Sequence, residues 1–395
     1  MSRLDELIAE LCPDGVEYKK IGECCSLVKG NTPIQKATPG EYPLVVTTSE
    51  RKTCSTFQFD QPSVCIPLVS SRGHGVASLN EIYYQDGKFA VGNILCCVTP
   101  IDQKQLSARF LYVFLNYAKD WLLVPKMQGG ANVSLSVDSI SRTRIPVPPL
   151  PVQQEIVRIL DHFTELQKQL DAELTARKKQ YEYYRESLMS FDNVPYVGLD
   201  TLFPNIRNGF VGTVTKFFTD KENGIRYLEG TNIHNGIISD NEELYVTREF
   251  HQKNIRNELK EDDILMVQSG HIGECAIVGK KYMGSNCHAL IIMSNGGNCL
   301  SKFYVHYFHT IEGMRHLKPA ITDGNLKHVL AGKMSFVKVP FPPVEEQKRI
   351  VDILDRFDSL CNDLTSGLPA EIAARQKQYE YYRDKLLTFK ELPKS

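Results

Sequence analysis

From Ile156 to Leu188 apolar and aromatic side chains return on alternating steps of three and four. The positions are Ile156, Leu160, Phe163, Leu170, Leu174, Tyr181, Tyr184 and Leu188, with Gln167 and Arg177 filling two places in the same stripe. A stripe of this period belongs to a helix that buries one seam against another helix. The spacing predicts a helix over Gln153–Met189, about 55 Å long at roughly 1.5 Å per residue. A compact core does not require that length. The proline cluster "IPVPPLP" from Ile145 ends whatever precedes it, because proline lacks an N–H and holds its neighbour extended.

The pattern recurs near the C-terminus. "IPVPPLPVQQEIVRILDHF" from Ile145 is matched by "VPFPPVEEQKRIVDILDRF" from Val339, at an offset of 194. "RKKQYEYYRESLMSF" from Arg177 is matched by "RQKQYEYYRDKLLTF" from Arg375, at an offset of 198 and with ten of fifteen positions identical. The second copy has therefore gained four residues between Leu360 and Arg375. Its seam runs through Ile350, Leu354, Phe357, Cys361 and Leu364, then resumes at Ile372, Tyr379, Tyr382 and Leu386. Between the two stretches, Gly367 and Pro369 in "SGLPAE" predict a break, with Pro369 opening the new segment. Two seams of one kind predict an antiparallel helix pair; two amphipathic helices in separate cores are the alternative.

The regions between the helical repeats match more faintly. "VSSRGHG" (Val69–Gly75) and "VQSGHIG" (Val267–Gly273) share V-x-S-x3-G, and "FLYVFL" echoes "FYVHYF". Asn132 and Asn325 stand fourteen and fifteen residues before the next proline-rich stretch. "PSVCIPLVSS" and "DDILMVQSG" read as buried strands ending in polar glycine turns. "ARFLYVFLNYAKDW" and "LSKFYVHYFHTIEGM" read as helices, and "RLDELIAEL" as a short amphipathic one. The fold class is mixed α/β (α+β): a pseudo-two-fold tandem repeat of two globular domains separated by two long antiparallel coiled-coil helices. Its domains are 1–150, a helical repeat 151–192, 193–343, a second helical repeat 344–391, and a tail 392–395.

Composition narrows the class. Of 395 residues 42% are hydrophobic and 24% charged, an ordinary globular balance. The longest apolar runs, such as "ALIIM" from Ala289, fall far short of a membrane span, and the N-terminal stretch lacks the apolar core of a signal peptide. Eleven cysteines without a CxxC read as scattered thiols in a reducing compartment, so a cytoplasmic location is expected. Net charge is −1, and neither globular region departs far from neutrality. A basic face clustered within a neutral domain would still bind DNA. Histidine is lopsided: eight of ten lie between His234 and His328.

Catalytic signatures are missing. There is no phosphate-cradling Gly-x4-Gly-Lys loop, and "RGHGVAS" at Arg72 is a partial dinucleotide fingerprint without its third glycine. "PDGVEYK" (Pro13–Lys19) has the letters of a metal-dependent nuclease site. Its two carboxylates are too close along the chain to come from separate strands, so a turn leading into a strand is the reading. A tandem chain of this kind points to recognition or scaffolding.

The "PxPPxxxQxxIVxILDxF" and "QYEYYR" segments, together with the opening "LDELIAELCPDGVEYKKIGE", resemble the repeated regions of specificity subunits of type I restriction-modification enzymes. The resemblance implies a non-catalytic subunit with two target-recognition domains. Each would read one half of a bipartite, gapped site in double-stranded DNA. The helices would set the spacing and dock two methyltransferase (modification) subunits, with restriction or motor subunits joining through the complex. It implies no cofactor on this chain; S-adenosylmethionine, ATP and Mg are expected on the partner subunits of a bacterial or archaeal host. No catalytic or metal-binding residue and no membrane partner is expected.

Under that resemblance the polar glycine turns after the strands are the DNA-binding candidates: Ser71, Arg72 and His74 in one domain, Gln268, Ser269 and His271 in the other. Arg, Gln and His reach phosphates or base edges, and glycine permits close backbone approach. Lys126, Gln128 and Asn132, with Asn325, Lys327 and His328, form a second set. The alternative is that these glycines and asparagines only shape turns. Tyr183, Arg185, Tyr381 and Arg383 lie off the seam and are candidates for partner binding. Tyr181, Tyr184, Tyr379 and Tyr382 lie on it. The competing functional classes are a tandem coiled-coil adaptor without DNA recognition, and an enzyme with a site around His271 and His288.

Leu166, Leu170 and Leu174 recur every fourth residue. Inserting four residues there is expected to lengthen the helix by about 6 Å, nearly two base pairs at roughly 3.4 Å each. Methylome sequencing should show a longer spacer in the modified motif; an unchanged spacer would contradict the expectation.

Overall fold

The computed structural model describes residues 3–48, 52–323, 327–363 and 365–393. Asn325 and Leu364 lie outside the described residues. The chain divides into two compact units, Met1–Leu170 with Ile372–Ser395, and Asp171–Glu371.

The first unit is built on a four-stranded antiparallel sheet in the order Cys25–Lys29, Leu95–Pro100, Ser63–Pro67, Tyr83–Gln85. Every residue of Ser63–Pro67 is buried, because the strand carries a core on each face. Val64 and Ile66 join Cys96 and Val98 in a core shared with the helix Ala108–Leu122. Cys65 and Cys97 point the other way, with Val45, Phe89 and Val91. A strand buried on both faces reads as a continuous apolar run, which is how "SVCIP" reads. The helix buries Phe110, Leu111, Phe114, Leu115 and Ala118 on one face. A smaller sheet pairs Tyr42–Val45 antiparallel with Lys52–Cys54 and parallel with Ala90–Val91.

The second unit repeats this order with Asn205–Asn208, Leu290–Ser294, Ile264–Val267 and Cys275–Ile277. Ile264 and Met266 face the helical core, and Leu265 and Val267 face the opposite one. Its smaller sheet again contains one parallel pairing, Gly224–Leu228 with Asn286–Cys287. The segment read as one helix, "LSKFYVHYFHTIEGM", forms two: Ser301–Phe308 and Ile311–Leu317. Thr310 separates them. Its hydroxyl donates to the Tyr307 carbonyl (2.7 Å) and accepts from the Gly313 N–H (2.9 Å), capping the second helix.

The first helical repeat is one helix, Leu150–Leu188. The second is two, Val344–Asn362 and Leu368–Leu386, broken where Gly367 and Pro369 predict. Seam residues of the two copies meet antiparallel within each unit. In the first, Phe163 stacks on Tyr382 (5.5 Å between centroids) and meets Tyr379 edge-on (6.5 Å), while Gln167 donates to Gln376 (2.5 Å). In the second, Phe357 stacks on Tyr184 (5.3 Å) and Tyr181 (6.3 Å). The same aromatic triangle is thus made twice, with the two copies exchanging parts. The upstream seam residues Ile156 and Leu160, and Ile350 and Leu354, sink into the globular cores. Leu170 and Leu174 are half-buried.

The glutamine of each proline-glutamine motif has one role in both units. Gln153 donates to the Gln105 and Pro148 carbonyls (both 2.7 Å) and accepts from the Ser107 N–H (2.9 Å). Gln347 donates to Pro342 (2.8 Å) and accepts from the Leu300 N–H (2.9 Å). Both are wholly buried. Each staples the helix start to the globular domain by satisfying backbone groups at the junction, the bond to the Pro148 or Pro342 carbonyl being buried. Gln153→Ala or Gln347→Ala should cost about 1–3 kcal/mol of unfolding free energy, since each leaves buried partners unpaired. The exposed neighbour Gln154→Ala should change it by less than about 0.5 kcal/mol. Urea unfolding followed by circular dichroism reads the difference.

Candidate nucleic-acid interface

In each unit two loops leave the central part of the fold and are zipped together by backbone hydrogen bonds. In the first, Ser70 N–H donates to Val133 (3.0 Å), Gly75 N–H to Ala131 (3.2 Å), and Leu135 N–H to Leu68 (2.8 Å). Gln128 and Ser134 exchange two bonds of 2.8 Å. The Ser71 hydroxyl is spent inside the loop, on Asn80 (2.9 Å) and Ser78 (3.0 Å). Arg72 and His74 are exposed on the turn, with Gln128 and Asn132 exposed on the neighbouring loop.

The second unit repeats the juxtaposition. Val329 N–H donates to Gln268 (2.9 Å), a bridge pairs Ser269 with His328, and His328 exchanges bonds with Thr322 on its other side. Ser269, His271 and Lys327 are exposed; Gln268 and His328 are half-exposed. Gly75 and Gly273, the glycines closing V-x-S-x3-G, both have positive φ (77° and 87°). That shared backbone explains the motif, since a side chain there is strained.

Beside the shared helix seam each unit also holds a polar cavity. In the first, of about 250 Å³, Arg109 makes a two-pronged pair with Asp161 (2.7 and 3.3 Å), near Tyr379 and Arg383. In the second, of about 210 Å³, Lys302 (2.8 Å) and His306 (3.1 Å) share Asp355, and His306 reaches the Tyr181 hydroxyl (3.4 Å). Burial works against the Asp355 charge, but the bonds from His306 and Lys302 outweigh it and hold the carboxyl below its ordinary range. Burial pushes the Tyr181 phenol up to about 12. It therefore stays neutral in its stack.

The type I restriction modification DNA specificity domain matches residues 13–176 and again 210–374. The chain belongs to that family. It is 32% identical over 339 residues to a Haemophilus influenzae protein assigned as a type I restriction enzyme specificity subunit, covering 82% of each. It is 32% identical over 315 residues to the specificity subunit of an Escherichia coli type I restriction enzyme, covering 74% of this chain and 73% of that one. The fold is that of a type I restriction-modification S subunit from M. genitalium: the TM-score is 0.57 at 15% identity, over 96% of this chain and 97% of that one.

Within the two specificity domains the structure sorts the predicted residues. Ser71, Arg72, His74, Gln128 and Asn132 come together, as do Gln268, Ser269, His271, Lys327 and His328. Lys126 is turned aside: it is half-buried and its ammonium donates to the Thr143 hydroxyl (3.0 Å). Tyr183 and Tyr381 are exposed, at 69% and 63%. Arg185 and Arg383 are partly buried instead. Arg185 lies over Tyr181 (5.2 Å), and Arg383 over Tyr117 (5.2 Å) and Tyr379 (5.9 Å). These guanidiniums clamp the seam tyrosines, a use that helical spacing alone does not reveal. Tyr184, although on the seam, keeps 38% exposure.

Sequence reading missed one element at the second cluster, the hairpin Ile233–His234 with Ile237–Ile238. Its signal was the Asn235-Gly236 turn between isoleucines, a strong two-residue hairpin sign. The His234 ring lies 6.4 Å from that of His271.

Gly75→Ala and Gly273→Ala should each cost at least about 1 kcal/mol, because alanine is strained at positive φ. At Gly273 a Cβ would also meet the Met314 sulfur. Thermal unfolding should show both losses. Gly332→Ala, where nothing crowds the added carbon, serves as the comparison.

Proposed function

We propose that this chain is the non-catalytic sequence-reading subunit of a type I restriction-modification complex, each unit contacting one half of a bipartite site in double-stranded DNA. The observation that carries the reading is the duplicated loop cluster. The frame is the same in both units, from strand order to the positive-φ glycine, but the side chains it presents differ. Like frames with unlike side chains suit two different half-sites. Membership of the specificity family supports the same reading.

The helical repeats present a second equivalence. Tyr183 and Tyr381 occupy matching places in the two copies of "QYEYYR" and are both exposed. Two matching aromatic patches suit two copies of one methyltransferase subunit, aromatics being common interface anchors. S-adenosylmethionine, ATP and Mg then belong to the partner subunits, as does the chemistry of methylation and cleavage.

The test is the methylome of a host carrying this chain with its methyltransferase partner. A bipartite methylated motif should vanish on deletion of the chain. Arg72→Ala should weaken binding and relax one half of the motif, and Gln268→Ala the other, each by about 1–3 kcal/mol if the contact is to a base. A methylation pattern unchanged by deletion would favour an adaptor instead.

A further inference from the structure

Three of the eight histidines between His234 and His328 lie at the second loop cluster. His234 and His271 are exposed, their rings meeting edge-on at 6.4 Å, and His328 is paired by backbone to Ser269 on the adjoining loop. The hairpin that carries His234 is held there deliberately. Its Asn235 N–H donates to Glu274 (2.8 Å), at the end of the reading loop, and Gly236 bridges to Ala276. Asn235 takes positive φ (50°) to make the turn. Among the described residues the sheets of the first unit contain no such hairpin. There the turn presents Arg72, permanently charged, and one imidazole, His74.

We infer that His234 is a DNA contact of the second unit, and that with His271 and His328 it makes DNA binding by that unit proton-linked. This rests on the reading that the zipped loops meet DNA. Imidazole is the side chain whose charge changes between about pH 5 and 8, and a charged imidazole has two donors. The His234 Nε2–H donates to the Thr231 carbonyl (2.6 Å), which leaves Nδ1 for phosphate or guanine. The surroundings allow the charge. Glu274 faces the hairpin, with its carboxyl held down chiefly by the bond from His309 and against the cost of burial. The adjoining loop carries Lys327 and Asp323. Beyond the hairpin tip lie Lys178, Lys302 and Asp358 of the polar cavity. Phosphate brought to this cluster favours protonation, so binding DNA takes up protons, and lower pH tightens it.

The experiment uses the full chain in complex with its methyltransferase partner and a duplex bearing the methylated motif, at pH 6 and pH 8 over a salt series. Binding should tighten about tenfold at pH 6, and the slope of log affinity against log salt should steepen by about one to two. The double variant His234→Asn/His271→Asn should lose most of the pH response. His74→Asn should keep most of it. A double variant with the full response, or a parent with none, overturns the inference. Gln268→Ala separates the two levels. If it weakens binding at both pH values while the double variant keeps its response, the loop reading stands and the histidine inference falls. If both variants bind as the parent does throughout, DNA does not meet this cluster and both fall.

Discussion

Neither helical repeat can bury its own seam, and the fold of each unit follows from that. A stripe of Phe, Tyr and Leu along a long helix needs a second helix of matching period. Here the match is the other copy of the repeat, reversed in direction. Phe163 finds Tyr379 and Tyr382; Phe357 finds Tyr181 and Tyr184. The N-terminal unit is therefore completed by residues from the far end of the chain. Leu387 joins its core, Val16 exchanges bonds with Lys390 and Leu392, and Arg144 pairs with Glu391. Chain ends that are tied down this way carry structural weight despite their position.

A second constraint acts within each globular domain. The central strand carries apolar residues on both faces, so it must lie between two cores, with helix on one side and a small sheet on the other. Polar residues are then driven off the strand ends into the loops that follow. Those loops are joined by backbone bonds, which do not depend on side-chain identity. Side chains at the tips can change without loss of the frame. The two units show that result directly: Arg72 and His74 stand in one, His271 and Lys327 in the other, each beside a loop-to-loop bridge, Val69 with Ser134 and Ser269 with His328.

Much of this was legible as pattern. The 3.5-residue seam marked the long helix, the glycine-proline pair marked its break in the second copy, and the uninterrupted apolar runs marked the central strands. Local signals also misled or went unread. "FYVHYFHTIEG" reads as one helix by period, but Thr310 bonds back to Tyr307 and starts another. Lys126 reads as a DNA-binding candidate beside Gln128 and Asn132, and its ammonium bonds the Thr143 hydroxyl. The Asn235-Gly236 turn is plain in the letters, but each flanking strand is only two residues long, too short to show an alternating pattern.

The sequence by itself determined the tandem plan, the lengths of the helices and which loops follow buried strands, because repeats, seams and apolar runs are local properties of the chain. Tertiary structure decided which copy's tyrosines meet which phenylalanine, and that Arg185 and Arg383 lie over tyrosine rings. It also decided that the turn after each central strand lies against a segment more than fifty residues away. Those pairings depend on distances across the fold. Period and composition do not encode them, because several partners share the same chemistry and packing selects among them.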